Sequence, residues 1–228
     1  MSLKEVSGSS LPLQARRHVS KGQGHKLASM KSAQTDYSVH DILAKRWSPR
    51  AFAKQPIEKE KLLRLLEAAR WTMSSYNEQP WRILIGQKPE PTYDELFACL
   101  GEFNQAWAKS APALLLFVAK ETFSRDDKPN RHAAHDIGAA GANLAVQATA
   151  LGLYVHPVAG FSREEARTRF CIPEGFEPTV MYALGYLGNP DDLPENFRES
   201  ELAERDRKPL SELVFGLKWG EPNVLVKP

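Results

Sequence analysis

The chain has 228 residues, of which 42% are hydrophobic and 25% are charged, and its formal net charge is +2. This is the composition of a soluble globular protein with enough residues for one large domain or two small ones. The small net charge argues against a general binder of nucleic acid, and no apolar run approaches the roughly 20 residues that span a membrane.

The charge is unevenly distributed. Residues 1–35 contain six Lys or Arg and one acidic residue, and they lack the apolar centre of a secretory signal. We expect a disordered basic leader here. Two alternatives remain open: the residues are a targeting segment, or the chain starts at Met30. Residues 36–228 are predicted to form a single domain with an extended C-terminal tail. Cys99 and Cys171 lack metal-binding spacing and indicate reduced thiols in a cytoplasmic protein.

The first half of the domain shows clear helical and strand patterns. Residues 38–41 resemble a capping box, with Ser38 as the N-cap of a short helix. Pro56 precedes an amphipathic helix whose apolar face is Leu62, Leu63, Leu65, Leu66 and Ala69. The next predicted elements are a strand at 81–86, helices at 93–100 and 105–109, and a strand at 112–120.

The second half begins with a long helix at 133–151 that is rich in Ala and Gly. Its apolar residues repeat at spacings of three and four, and its small residues allow another backbone to approach closely, in the core or at a dimer seam. The later elements are a strand at 153–158, a helix from the N-cap Ser162 to about Phe170, a strand at 179–187 and a charged tail from Asn189. The helices and strands do not alternate regularly, which favours the α+β class.

Two segments carry groups suited to binding. In residues 46–52, Arg46 and Arg50 bracket Ser48, an arrangement that can clamp a phosphate by charge-assisted hydrogen bonds. Ordinary surface arginines are the alternative. Residues 74–81 hold two hydroxyls and two side-chain amides before a Pro-Trp pair, which suits a ring edge with alternating N–H and C=O groups. A capped turn is the alternative there.

A metal site is not predicted. His132 and His135 lie three residues apart on the long helix, but no third ligand follows with usable spacing. We interpret them as part of a polar helix face.

The order of the motifs along the chain resembles the FMN-dependent nitroreductase family. Arg-x-Ser-x-Arg-x-Phe at 46–52 is followed by Ser-x-x-Asn-x-Gln-Pro-Trp at 74–81. Further landmarks follow in the family's order, at 104–107, 136–140, 156–161, 183–186 and 205–210. The resemblance runs from about residue 39 to residue 214 and implies an α+β fold with a central, mainly antiparallel sheet in an intertwined homodimer.

The resemblance implies which residues hold the phosphate of FMN. Arg46 and Ser48 would contact the phosphate or the ribityl chain, next to Trp47. Arg205 and Arg207 would complete the phosphate site from the C-terminal segment. Trp47 stands where relatives often carry a basic or polar residue, so one cation is missing from the family's pattern.

The resemblance also implies contacts to the flavin ring. Arg50 would lie near the pyrimidine edge, and Asn104 would bind the same edge or the ribityl chain. Ser74, Ser75 and Asn77 would reach the flavin from the second subunit. Backbone groups near the reactive nitrogen of the flavin would come from Pro157, Val158, Ala159 and Gly160.

The implied reaction is a ping-pong hydride transfer. NADH or NADPH would reduce FMN, and a small electron-poor acceptor, such as a nitroaromatic or a quinone, would then take the electrons. Because the cofactor performs this chemistry, no catalytic side chain is expected. Two alternatives remain: a specialised flavin reaction, such as dehalogenation or flavin destruction, with 121–131 as a possible lid, or a non-catalytic flavin-binding redox sensor.

Overall fold

The computed structural model describes residues 31–226. Residues 1–30 of the predicted leader lie outside the described residues, so disorder there stays a prediction. The last residues of that leader are described and contact the domain. Lys31 is buried, and the Ala33 N–H donates to the Ala44 carbonyl at 2.9 Å. Ordered contacts therefore begin a few residues before the predicted boundary at position 36.

A four-stranded sheet forms the centre of the described chain. Its spatial order is β1-β2-β4-β3, and every neighbouring pair is antiparallel. The strands are β1 (Trp81–Gln87), β2 (Ala113–Lys120), β3 (Tyr154–Val158) and β4 (Phe176–Gly185). The predicted α+β class with an antiparallel sheet is confirmed, with strand boundaries within three residues of the prediction.

Seven α-helices surround this sheet within residues 31–226. They are α1 (Asp41–Lys45), α2 (Lys59–Arg70), α3 (Pro91–Ala98), α4 (Glu102–Ala108), α5 (Ala133–Ala150), α6 (Arg163–Phe170) and α7 (Glu195–Leu202). The sequence predicted all of them except α7, which lies in the segment interpreted as a charged tail. Among these residues, no helix combines the length and the apolar character needed to cross a membrane.

Strand β2 divides the core into two layers because side chains alternate between the faces of a strand. Leu114, Leu116 and Val118 pack into a cluster with residues of α3, α4 and α6. Leu115 and Phe117 pack on the opposite face, against α2 and α5. Both faces of the sheet are therefore covered, and the functional segments can lie only at its ends and edges.

Helix α5 has two different faces. Its predicted apolar positions are buried against the sheet, with Leu151 partly buried. Gly141 faces Tyr182 of β4, and a Cβ at this position would overlap the tyrosine hydroxyl. The opposite face exposes the small residues Ala134, Gly138 and Ala142. The core position predicted for this helix is confirmed for one face, and the other face remains open to a second backbone.

Three local predictions have different outcomes. Ser38 does not cap α1: the helix begins at Asp41, and the His40 imidazole accepts the Ile42 N–H at 3.3 Å. Leu63, predicted on the apolar face of α2, is 54% exposed. Ser162 does cap α6, because its Oγ accepts the Glu165 N–H at 3.1 Å.

The substitution Gly141→Ala is expected to lower the free energy of unfolding by about 1–3 kcal/mol through overpacking. This exceeds the roughly 0.5–1 kcal/mol by which Ala is favoured over Gly within a helix. Urea denaturation measures the change. In a Tyr182→Phe background, which lacks the overlapping oxygen, the same substitution should be less harmful. Equal stability of Gly141→Ala and the parent protein would contradict the close packing.

Candidate functional site

A cationic cavity of about 220 Å³ lies between the segment that follows α1 and the segment that follows α7. Five basic side chains line it: Lys31, Arg46, Arg50, Arg205 and Arg207. Trp47, Ser48, Glu201 and Glu204 also contribute to the wall. The structure thus brings together every residue that the resemblance assigned to the phosphate.

A buried carboxylate positions the segment 46–50. Glu201 of α7 is 1% exposed, and its oxygens accept the backbone N–H groups of Arg50 at 3.0 and 3.1 Å and of Ala51 at 3.1 Å. Burial raises the pKa of Glu201, while these hydrogen bonds and the charges of Arg50 and Lys31 oppose that shift. The carboxylate therefore fixes the backbone beside the cavity and supplies a negative charge beneath its cations.

The arginines of the cavity crowd one another. Arg205 donates from Nη1 to the carbonyls of Lys31 at 2.8 Å and Ala44 at 2.7 Å, which holds it against the start of the domain. Burial lowers the pKa of Arg46, and the charge of Arg207 lowers it further. The pKa of Arg205 is lowered by burial and then by the charges of Arg46 and Arg207. An anion in the cavity would relieve this repulsion.

The hydrogen-bonding groups of the cavity also suit an anion. The Arg50 Nη1 donates to Ser200 Oγ at 3.3 Å, but its Nε is buried and has no acceptor among residues 31–226. A buried donor without an acceptor costs about 1–3 kcal/mol, so such groups are usually satisfied by a ligand or by water. Five cationic side chains face two carboxylates in the lining, and this excess of positive charge fits a phosphate group.

His156 connects the segment 46–50 of this cavity to the middle of β3. Its Nδ1 lies 3.1 Å from the Ser48 carbonyl oxygen and 3.0 Å from that of Pro49, and its ring packs against Trp107 with centroids 4.5 Å apart. Burial, followed by the charge of Arg50, lowers the pKa of His156 to about 4. The imidazole is therefore neutral near pH 7, and these contacts require that Nδ1 carries the proton and donates it.

The segment 157–160, which covers the last residues of β3 and the two residues after it, contacts Asn104 through Gly160. Pro157, Ala159 and Gly160 are exposed, whereas Val158 is buried in the core. The Asn104 Nδ2 donates to the Gly160 carbonyl at 2.9 Å, and a Cβ on Gly160 would lie only 2.5 Å from that nitrogen. Asn104 Oδ1 accepts the Trp107 Nε1–H at 3.2 Å. Of these predicted residues, Gly160 therefore contacts Asn104, whose amide is engaged at both ends.

Ser74, Ser75 and Asn77 are not brought to this cavity. They lie in a short 3₁₀ turn, where the Ser75 N–H donates to the buried Asp136 carboxylate at 3.0 Å and Ser74 Oγ accepts the Gln79 N–H at 3.0 Å. The turn has positive φ at three non-glycine residues, 53° at Tyr76, 55° at Asn77 and 52° at Gln79. Such conformations are rare and concentrate at ligand-binding positions.

The predicted lid, residues 121–131, packs on this strained turn. Ser124 donates to the Glu78 carboxylate from its N–H at 2.9 Å and from its hydroxyl at 2.6 Å. The Arg125 guanidinium lies 4.2 Å from the centroid of the Tyr76 ring. The segment therefore braces the turn, and a role for it as a lid stays a prediction.

Several polar residues of this region were not predicted from the sequence. Lys31 fell in the expected leader, and Glu201 fell in the expected tail. His156 and Asp136 belonged to recognised motifs but received no role. Each acts through a contact with a distant segment, so no pattern of neighbouring residues could reveal it. His135, whose Nδ1 lies 3.0 Å from Asp136, is bound to a carboxylate; within residues 31–226 no group of three His, Cys, Asp or Glu residues could hold a metal ion.

Comparisons with known proteins agree with this geometry. The model of the Nitroreductase family matches residues 43–103 and 86–186. A solved structure described as an oxidoreductase containing FMN is 34% identical, with a TM-score of 0.78 over 82% of this chain and 95% of that chain. An uncharacterised 15.4 kDa protein of Mycolicibacterium smegmatis is 36% identical over 60% of this chain and 93% of its own length. The major NAD(P)H-flavin oxidoreductase of Aliivibrio fischeri is 31% identical over 39% of this chain and 42% of its own length.

The half-buried His156 predicts a defined loss of stability in acid. Its pKa is about 4 in the folded protein and 6.5 in its ordinary state, so the unfolded chain binds more protons between these values. The free energy of unfolding should therefore fall as the pH decreases from 6.5 to 4, by an amount on the order of 3 kcal/mol. Urea denaturation of the flavin-free protein at several pH values measures it.

The control for this prediction is a histidine on the surface. The variant His156→Gln retains an N–H donor but does not titrate, so it should lose most of the slope between pH 6.5 and 4. The exposed His132 replaced by Gln should leave that slope unchanged. Equal slopes in the parent and in His156→Gln would show that other groups cause the acid sensitivity.

Proposed function

The chain belongs to the nitroreductase family of oxidoreductases, and we propose that it binds FMN, takes hydride from NADH or NADPH and reduces electron-poor acceptors such as nitroaromatics and quinones. The observation that carries this proposal is the cationic cavity, whose residues coincide with the phosphate-binding positions that the family resemblance implies. The solved relative that contains FMN and the related NAD(P)H-flavin oxidoreductase support the choice of cofactor and donor.

The phosphate of FMN would lie among Arg46, Ser48, Arg205 and Arg207. A phosphate monoester carries about 1.5 to 2 negative charges near pH 7, enough to offset much of the charge of this cluster. The cavity of about 220 Å³ is smaller than the roughly 300–1,000 Å³ of pockets that enclose whole ligands of drug size. It therefore suits the phosphate and part of the ribityl chain, while the flavin ring would extend towards the end of β3.

Bound FMN would supply the redox chemistry by accepting hydride from the nicotinamide and passing it on to the acceptor. The residues of this chain would orient the cofactor and set its environment. The positive charge of Arg50 would stabilise negative charge that develops at the pyrimidine edge on reduction. Because the backbone N–H of Arg50 is bound to the buried Glu201, the backbone of Arg50 would stay in place as that charge appears.

We further propose that two chains form a dimer with composite sites. Ser75 and Asn77 lie outside the cavity of their own chain, in a turn whose Tyr76 and Met73 side chains are at least 75% exposed. A second copy would bring this turn to the flavin held by the first. Two-fold symmetry then makes both sites identical.

The surface provides apolar area for such an interface. Helix α5 exposes its small residues Ala134, Gly138 and Ala142, which permit close approach of a second backbone. The segment after α7 exposes large apolar side chains, among them Leu213, Leu217, Trp219, Val224 and Leu225. Obligate dimers commonly bury more than about 2,000 Å², and coverage of both regions would be consistent with that class.

The first experiment identifies the cofactor and its electron donor. The purified protein should be yellow, and denaturation should release FMN rather than FAD, because the cavity offers one phosphate site. Anaerobic titration with NADH and with NADPH should bleach the flavin absorption, and a quinone should restore it. Recovery of FAD, or of no flavin after reconstitution, would contradict the proposal; a bound flavin that neither nucleotide reduces would favour a redox sensor.

Complementation tests the composite sites. Arg46→Ala/Arg207→Ala removes the phosphate contacts, and Ser75→Ala/Asn77→Gly removes the proposed contacts across the interface while a glycine retains the positive φ of residue 77. Each variant alone should lose most reductase activity. After joint unfolding and refolding, a heterodimer would contain one intact site and one doubly defective site, so up to half of the activity per heterodimer should return.

The controls define the outcome of the mixing experiment. Each variant refolded alone must remain inactive, and differently tagged chains must confirm heterodimers. No recovery in confirmed heterodimers, or a fully active monomer in sedimentation, would show that each chain builds its site alone.

A further inference from the structure

A lysine outside the segment matched by the family model lies in the wall of the cationic cavity. Lys31 precedes the matched residues by twelve positions and is only 5% exposed. Its neighbours in the cavity wall include Arg46, Trp47 and Arg205. Lysines are almost never this buried unless a partner compensates their charge.

Contacts on both its backbone and its side chain hold Lys31 in place. Its carbonyl accepts the Arg205 Nη1–H at 2.8 Å, and its Nζ donates to the Ala203 carbonyl. The Nζ also lies 5.2 Å from the centroid of the Trp47 ring. These contacts join the lysine to both segments that form the cavity.

The donors of the ammonium group are not all engaged. An ammonium has three N–H donors, and within residues 31–226 the one acceptor of Lys31 Nζ is the Ala203 carbonyl. Burial lowers the pKa of Lys31; the charge of Glu201 opposes this shift and that of Arg205 adds to it. The group that would favour the charged lysine most is an anion placed in the cavity itself.

We propose that Lys31 is an additional ligand of the cofactor phosphate, contributed by the chain before the matched family segment. This rests on the proposed function, since it concerns the same phosphate. Lys31 adds a fifth cation to a site whose other cations are arginines. An ammonium is a compact charge that can turn its donors towards any phosphate oxygen, whereas the planar guanidiniums are fixed in direction. Lys31 thereby contributes to the affinity for phosphorylated flavin and has no part in hydride transfer.

The test compares FMN with riboflavin, which has the same ring and ribityl chain but no phosphate. The full-length chain is freed of flavin, and both ligands are titrated by the quenching of their fluorescence. Lys31→Met retains an apolar stem against Trp47 and removes the charge. It should weaken FMN binding about tenfold to a hundredfold, as expected for a lost charge-assisted hydrogen bond, and leave riboflavin binding unchanged.

Two further variants act as controls. Lys45→Met removes the same charge from an exposed residue of α1 that pairs with Asp41, and it should leave both affinities unchanged. Lys31→Arg retains the charge and should remain within a few-fold of the parent protein for FMN. If Lys31→Met does not fold, Lys31→Gln, which keeps a donor for the Ala203 carbonyl, replaces it in the same comparison.

The outcomes separate this inference from the proposed function. Equal weakening of FMN and riboflavin would show that Lys31 only supports the fold, and unchanged FMN binding would show that it does not reach the phosphate. Either result overturns the inference and leaves FMN as the cofactor. A parent protein that binds neither flavin would instead overturn the proposed function, and the inference with it.

Discussion

The site depends on a carboxylate that is buried beneath a group of cations. Four arginines and a lysine around one cavity repel one another, and without a fixed framework they would turn towards solvent. Glu201 counters this by accepting the backbone N–H groups of Arg50 and Ala51 from inside the protein. The hydrogen bonds compensate its own burial, and its charge attracts Lys31 and Arg50. Helix α7 thus holds the cavity segment 46–50 in position although it lies about 150 residues away in the chain.

The same segment is held from the other side by the sheet. His156, in the middle of β3, lies within hydrogen-bond distance of two consecutive carbonyls of the cavity segment, and Trp107 of α4 packs against its ring. Trp107 also donates to Asn104, which in turn binds Gly160. Through these contacts the irregular segment 46–50 is positioned by strand β3 and by helices α4 and α7. Sites supported in this way keep their geometry more accurately than sites carried by free loops.

The sequence predicted those parts of the fold that repeat a simple pattern. Strand β2 is a continuous apolar run, and helix α5 repeats its apolar residues at spacings of three and four, so their buried residues were identified correctly. Helix α7 was missed because its sequence, ENFRESEL, has few apolar residues and buries a glutamate, and burial of a charged residue follows from its distant partners. Lys31 was assigned to the leader for the same reason. The arginines of the cavity were found through spaced motifs, whereas the contacts that hold them lie between segments far apart in sequence.

The strained turn at 74–79 is the feature on which the proposed composite site depends. Three non-glycine residues with positive φ are each unfavourable by about 1–3 kcal/mol, so the surroundings must enforce them. Asp136 holds the turn from α5, and Ser124 holds it through Glu78. These contacts support a turn that lies outside the cavity of its own chain and leaves Tyr76 exposed. Strained backbone of this kind clusters at ligand-binding and switch positions. In the proposed dimer, a second copy of the chain would bring its own cavity, with the cofactor bound, against the turn.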